Sequence, residues 1–251
     1  MIVKAACASS VGRVRTNNED NLYFNGKYLP QQNEGIKRPL SMTVPDGECM
    51  FCVYDGMGGH ESGEVASFIA ASETKRYIDE HECLIIPTRQ MLEELTARIN
   101  ENVFKAGRNK GGRLSMGTTG VMLKFMDDEV YVCNVGDSPA FRLRDSELLQ
   151  LSVDHVENVS VKPGRKPALT QGFGMDPEEI RIEPHIAKGE LEPGDQYLLC
   201  SDGLTDMVSK VEICSILKSC TNVKRAARKL VQKALDNGGK DNITVILCQI
   251  G

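Results

Sequence analysis

With 251 residues, 41% of them apolar and 26% charged, the chain is long enough to bury a substantial core without disulfides or structural metals. Its net charge of −5 excludes a nucleic-acid binder held by a basic face. No apolar stretch approaches the ~20 residues of a membrane helix. The start, Met1–Cys7, has no basic region followed by an apolar run, so neither a membrane segment nor a signal peptide is expected.

Residues 2–10 read as a strand and the polar, glycine-led stretch 11–21 as a loop. Leu22–Tyr28 has strand composition. Leu29–Gly47 carries three prolines, glycines and amides, and reads as a loop or hairpin excursion. Glu48–Tyr54 is an apolar strand ending at Asp55. After Gly58-Gly59 the period changes. Val65, Phe68, Ile69, Ser72, Arg76 and Tyr77 recur at helical spacing and predict a helix over 62–80. Pro87 opens a second helix, where a missing amide costs little, with Met91, Leu92, Leu95, Ile99, Val103 and Phe104 on one face. Gly111-Gly112 ends that region.

Strands are predicted at 117–126, 129–135 and 139–144, turning at Asp127-Asp128 and Asp137-Ser138-Pro139, with a further short strand at 147–151. The segment 152–175 is irregular. Residues 178–186 and 195–200 read as strands and 208–217 as a short helix. Thr221 or Asn222 caps a helix with Val223, Ala227, Leu230, Val231 and Ala234 on its apolar face, stopped by Asn237-Gly238-Gly239. Ile243–Ile250 is the last strand. Hairpins, paired helices, then more hairpins predict an α+β fold of antiparallel sheet layers covered by helices. Strict strand–helix alternation is missing, and no composition break divides 1–251 into two domains.

The nine cysteines are an odd number. Cys52, Cys133, Cys200 and Cys248 lie in apolar strand-like runs, where a thiol behaves as a small hydrophobe. Free thiols and a reducing, cytoplasmic setting are expected. Cys49 and Cys52 form a Cys-x-x-Cys, but no second pair completes a zinc set, and on a strand the two side chains point to opposite faces.

The chemistry lies in four aspartates at the ends of apolar runs, each beside a glycine or asparagine. They are Asp20 in Asn-Asn-Glu-Asp, Asp55 in Val-Tyr-Asp-Gly-Met-Gly-Gly-His, Asp202 in Leu-Leu-Cys-Ser-Asp-Gly-Leu and Asp241 in Lys-Asp-Asn-Ile-Thr-Val-Ile-Leu. One Asp-Gly is an ordinary turn. Several carboxylates ending buried strands converge only where something holds their charge, and hard cations such as Mg²⁺ or Mn²⁺ want such oxygen ligands. Glycines at those turns let backbone come close to a ligand. Metal-assisted phosphate chemistry is the expectation.

The run Gly12-Arg13-Val14-Arg15-Thr16-Asn17-Asn18-Glu19-Asp20, followed by Val53-Tyr54-Asp55-Gly56-Met57-Gly58-Gly59-His60, resembles the metal-dependent protein phosphatase family, the type 2C serine/threonine phosphatases, in its bacterial form. Gly117-Thr118-Thr119, Asn134-Val135-Gly136-Asp137-Ser138, Asp154-His155, Leu199-Cys200-Ser201-Asp202-Gly203-Leu204 and Asp241-Asn242-Ile243-Thr244 follow in the family's order, so the resemblance spans almost the whole chain. It implies a four-layer α-β-β-α sandwich with two central, mainly antiparallel sheets and a metal cleft at one edge. It implies two Mn²⁺ or Mg²⁺ ions, with a weaker third in bacterial members. Asp55 would bridge the pair, with the Gly56 carbonyl on one ion and Asp202 and Asp241 on the other. Glu19 and Asp20 would support the site directly or through water, Arg15 would bind phosphate, and Asp137 would hold the third ion. The nucleophile implied is a metal-bridged hydroxide, attacking phosphorus in line with the ester oxygen.

The family's proposed acid in animal members falls at Met57, which cannot donate a proton. His60 is read as loop structure before general acid, and His155 as a structural hydrogen-bonding residue. Lys224, Arg225, Arg228 and Lys229 read as a solvated helix face, and Arg142 and Arg144 as outward strand positions. After Asp154-His155 the family's helical flap looks cut down to an irregular, mobile loop at about 156–175. The expected function is a cytoplasmic phosphatase of phosphoserine and phosphothreonine proteins, with a serine/threonine kinase and its substrates as partners and no nucleic acid. The alternatives are a catalytically weak, family-shaped binding or regulatory module, or a phosphatase of a small molecule or of one regulatory phosphoprotein.

Overall fold

The computed structural model describes residues 1–45, 47–58, 62–82, 84–108, 116–159 and 166–251. The strands are β1 (Val3–Ser10), β2 (Asp20–Phe24), β3 (Lys27–Tyr28), β4 (Leu40–Val44), β5 (Cys49–Met57), β6 (Gly117–Thr118), β7 (Gly120–Met126), β8 (Glu129–Val135), β9 (Ala140–Arg144), β10 (Glu147–Gln150), β11 (His185–Glu190), β12 (Gln196–Cys200) and β13 (Ile243–Ile250). The helices are α1 (Gly63–His81), α2 (Thr88–Arg108), α3 (Asp202–Thr205), α4 (Lys210–Ser219) and α5 (Val223–Asp236). One sheet runs β10-β9-β12-β13-β1-β4. The other runs β11-β8-β7-β5-β2-β3, with β6 added beside β5. Every strand pairing is antiparallel.

Side-chain alternation builds the layers. Val3, Ala5 and Cys7 of β1 enter the core between the sheets, where Cys49, Phe51 and Val53 of β5 meet them. Ala6 and Ala8 face the other way, onto Leu217, Leu230 and Ala234 of α4 and α5. Met50, Cys52 and Tyr54 pack under α1 and α2 against Ala70, Leu92 and Ile99. The four-layer α-β-β-α sandwich that the resemblance implies is therefore the observed fold. Phe24, Phe51, Phe125 and Tyr197 form a line of ring contacts across both sheets, with centroids 5.2, 6.2 and 5.5 Å apart. Truncating one such buried ring to alanine costs about 3–5 kcal/mol.

Cys49 and Cys52 lie in different cores, as strand geometry requires. The eight described cysteines are free, and burial pushes the Cys7, Cys49 and Cys52 thiols up to about 12. They are inert packing groups. Arg144 is more than an outward strand position: it pairs with buried Asp195 at 2.6 Å and ties β9 to the turn before β12.

Four local readings need correction. The stretch 29–47 contains β4, an exposed edge strand held between Pro39 and Pro45 and paired, among the described residues, only with β1. The predicted strand at 178–186 is a turn, closed by Glu178 and Ile180 amides on Asp176, and β11 starts only after Pro184. The predicted strand 117–126 breaks at Thr119. A short helix, α3, begins at Asp202 where only a turn was expected. No helix among the described residues is long and apolar enough to cross a membrane.

Candidate metal centre and active site

Asp20 opens β2 and Asp55 lies near the end of β5. Antiparallel pairing sets them directly opposite each other. Asp202 follows β12 and Asp241 precedes β13, which are likewise antiparallel neighbours. The start of one strand and the end of its antiparallel partner share one sheet edge. Two sheets stacked face to face thus bring four aspartates, distant in sequence, to one end of the sandwich.

Backbone contacts hold each position. The Thr118 hydroxyl donates to the Asp55 carbonyl at 2.8 Å, and the Thr119 amide donates to that carbonyl at 2.9 Å. The Gly117-Thr118-Thr119 motif is therefore a clamp on the Asp55 strand. A Cβ on Gly56 would stand 2.2 Å from the Gly63 carbonyl and 2.4 Å from that of Glu19, so only glycine fits there. A Cβ on Gly203 would stand 1.9 Å from the Asn242 carbonyl. Asn242 organises the arginine loop: its Oδ1 accepts from the Glu19 amide at 2.8 Å, and its Nδ2 donates to the Val11 and Asn17 carbonyls, both at 2.9 Å. That clamp presents Arg15, whose Nη2 donates to Asp241 Oδ2 at 2.8 Å.

The electrostatics are those of crowded carboxylates. Asp20 is buried, accepts from the Ser201 hydroxyl at 2.8 Å through Oδ2, and leaves Oδ1 buried without a protein partner. Burial, with Asp202 and Asp241 adding to it, pushes Asp20 up to about 7. Burial and then the charges of Asp202, Asp20, Asp241 and Asp137 hold Asp55 well above the usual carboxylate range. Burial followed by Asp202 pushes Asp137 up to about 6, and burial raises Glu19. Among the described residues, no three His, Cys, Asp or Glu side chains form a ready-made cage. The mutual repulsion still identifies one acidic cluster, and an orphaned buried carboxylate oxygen beside it suits a hard divalent cation.

Two cationic side chains answer part of this charge. One is Arg15 on Asp241. The other is Lys166, which pairs with Asp202 and also with Asp206 Oδ2 at 2.5 Å. Asp206 and Lys166 were not singled out from the sequence. Asp206 had a legible signal, standing four residues after Asp202 on the same helical face. Lys166 had none, because the chain fold alone brings it there. His155 accepts from the Gly136 amide at 3.1 Å through Nδ1 and supports the Asp137 loop, as expected of a structural residue. His60, Gly59 and Gly111-Gly112 lie outside the described residues.

The expected flap is only partly irregular. Among the described residues of 156–175 there is no helix, but Val156 bridges Leu169, Thr118 bridges Phe173, and the Phe173 ring is buried in the core. Both described arms are thus tied down, where an irregular, mobile loop was expected. The tip, 160–165, lies outside the described residues.

Raised carboxyl pKa values make the cluster a pH-dependent load. Such a group stabilises the folded chain below its unfolded pKa, and that contribution is lost as pH rises through the folded value. Protein stripped of divalent ions is expected to lose thermal stability between about pH 4 and about pH 7, the interval from the ordinary value of 3.8 to the raised value of Asp20. Melting in chelator at the two ends of that interval checks it, and a Tm that holds or rises with pH would contradict it.

Residues 40–238 match the profile of the Protein phosphatase 2C family. The chain is 31% identical over 252 residues to protein phosphatase PhpP of Streptococcus pneumoniae, covering 95% of this chain and 94% of PhpP. It is 29% identical over 266 residues to serine/threonine protein phosphatase PstP of Mycobacterium tuberculosis, covering all of this chain and 45% of PstP, so it spans about half the length of that relative. A crystal structure of the PstP catalytic domain in complex with 2 manganese ions superposes with a TM-score of 0.79 at 27% identity, covering 100% of both chains. The matched profile, the full-length similarity to PhpP and the sandwich with its edge of aspartates agree: the chain belongs to the protein phosphatase 2C family.

Proposed function

We propose that this chain is a divalent-metal-dependent phosphatase hydrolysing phosphoserine and phosphothreonine esters in proteins. The observation that carries the proposal is the convergence of Asp20, Asp137, Asp202 and Asp241 on buried Asp55, which burial and then their charges hold well above the usual carboxylate range, with Arg15 at the same edge. The names of PhpP and PstP support the reaction class, and the manganese in the PstP crystal structure supports the metal.

Asp55 would bridge two Mn²⁺ or Mg²⁺ ions, the Gly56 carbonyl would reach one, and Asp202 and Asp241 would hold the other. Asp137 would serve a third. Glu19 and Asp20 would hold the surrounding waters, Asp20 with its Ser201-bonded carboxylate. When bound, the ions supply Lewis acidity, bringing water to its nucleophilic form near neutral pH and offsetting charge on the phosphate oxygens. The guanidinium of Arg15 would grip two phosphate oxygens and hold the phosphorus in line for attack. Its present partner, Asp241, keeps that fork at the cleft. Residues 1–251 would form one phosphatase domain with a short flap at about 156–175. Its partners would be phosphoproteins, among them a serine/threonine kinase and that kinase's substrates, in the cytoplasm, where eight free described thiols are at home.

The test is phosphate release from a phosphothreonine peptide and from p-nitrophenyl phosphate, with Mn²⁺ present. Turnover of both is expected. Metal-loaded protein that releases phosphate from neither would end the proposal and leave a family-shaped binding module.

Arg15→Ala is expected to raise KM about tenfold or more, since a charge-assisted bidentate contact contributes roughly 1.5–3 kcal/mol. The exposed loop position should leave the fold intact, and unchanged KM and kcat would place the phosphate clamp elsewhere. Lys166→Met is expected to tighten Mn²⁺ binding about two- to fivefold by titration calorimetry, because a half-exposed ion pair that competes for Asp202 and Asp206 contributes only ~0.2–1 kcal/mol. Equal or weaker binding would show that Lys166 does not compete.

A further inference from the structure

The four cations of α5 that sequence alone reads as a solvated face do not all stand alone. Three of them, Lys224, Arg225 and Arg228, line a groove of about 560 Å³ with Lys37, Arg38 and Pro39 from the loop before β4. Two segments nearly two hundred residues apart therefore pool five positive charges. Among the described residues, no acidic side chain lines the groove. Among the described residues, Arg38, Lys224, Arg225 and Arg228 have no ion pair. Lys37 has only Glu34 at 3.8 Å, both largely exposed, a pair of little strength.

A second observation is independent of the groove's shape. Helix α5 has no acidic residue in its first turn, and Lys224 and Arg225 stand there instead. Cations at a helix N-terminus oppose the helix dipole, where carboxylates are the favourable choice. A chain with 35 acidic residues for 30 basic ones leaves this helix end without one. Uncompensated like charge at a positive helix end is the arrangement that an anionic guest relieves.

We infer that this groove holds an acidic segment of the phosphoprotein on which the enzyme acts, away from the reacting phosphate. This rests on the phosphatase function proposed above. The shape and charge favour a peptide: the patch is a short concave groove, while the chain's overall charge of −5 would repel an extended polyanion or an anionic membrane beyond the patch. The loop wall of the groove lies near the acidic edge: Gly35, two residues before Lys37, bridges Ser10, which pairs with Ile243, two residues past Asp241. Cationic groups beside that edge would raise local substrate concentration without touching the chemistry.

The experiment uses the whole chain loaded with Mn²⁺. A fluorescent peptide of glutamates, without phosphate, is titrated by anisotropy at rising salt. A lysine peptide and phosphatidylglycerol vesicles serve as alternative ligands. The expected result is glutamate-peptide binding that weakens steadily with salt and falls roughly tenfold or more in K224E/R225E/R228E. All three positions are exposed on a helix that tolerates glutamate, and p-nitrophenyl phosphate turnover should be unchanged in the variant. Lys229→Glu, on the same helix but outside the groove lining, should keep binding. A phosphothreonine peptide carrying an acidic tract should have a lower KM than the same peptide without the tract, and the triple variant should erase that difference. No glutamate-peptide binding, equal binding by the triple variant, or binding of vesicles in place of peptide would overturn the inference. Because the binding arm involves no turnover, it decides the groove's role even if no phosphoester is hydrolysed, and an active enzyme with a silent groove leaves the proposed function standing.

Discussion

Asp55→Asn is expected to lower kcat by about three orders of magnitude or more while the protein stays folded. Asparagine preserves the volume and leaves the Thr118 and Thr119 bonds to the Asp55 carbonyl unchanged, since both are to backbone. What it removes is the charge at the centre of the acidic cluster. Losing a residue that only supports a metal ligand costs roughly 10–100-fold. Losing a group that stabilises the reacting charge directly costs about 10²–10³-fold. The proposed bridging carboxylate combines both effects. Asp202→Asn and Asp241→Asn should follow in the same direction. The apo variant should also be more stable than the apo parent near neutral pH, because one repelling carboxylate is gone. Near-normal kcat for Asp55→Asn, with the fold verified by melting, would show that Asp55 is not the bridge.

Removal of divalent ions should bring turnover of any phosphoester to background, and added Mn²⁺ or Mg²⁺ should restore it. The described side chains at this edge offer no obvious alternative nucleophile. Every described thiol on an apolar strand is buried, with Cys52 held up at about 12, and Ser201 is committed to Asp20. His155 is engaged with the Gly136 amide. The same titration should raise Tm, since ions bound only by the folded cluster stabilise it by mass action and relieve the carboxylate repulsion. Undiminished activity in excess chelator would sink the mechanism.

The aspartates were legible because each combines two local signals, the end of an apolar run and a glycine or asparagine beside it. The layers were legible for the same reason: periods of two and 3.6 are written residue by residue, and the helix faces over Leu92 and Leu230 follow from them directly. Local rules misplaced β4 and β11. Pro39 and Pro45 read as breakers of 29–47, while the strand predicted at 178–186 ran through Pro184, yet an edge strand takes a proline only at its boundary, and pairing with β1 or β8 decides where the strand lies.

The sequence by itself determined antiparallel layers covered by helices and the identity of the acidic residues at the strand ends, since both depend on spacing along the chain, and the family resemblance implied the four-layer order. Only the tertiary structure decided what surrounds them. Lys166 on Asp202 and Asp206, Asn242 holding the arginine loop, and the five cations gathered between the β4 loop and α5 join residues about 36 to 230 positions apart. No periodicity or local propensity encodes such contacts. They come from the packing of two sheets whose strand ends meet, which fixes the distances between side chains that the sequence leaves independent.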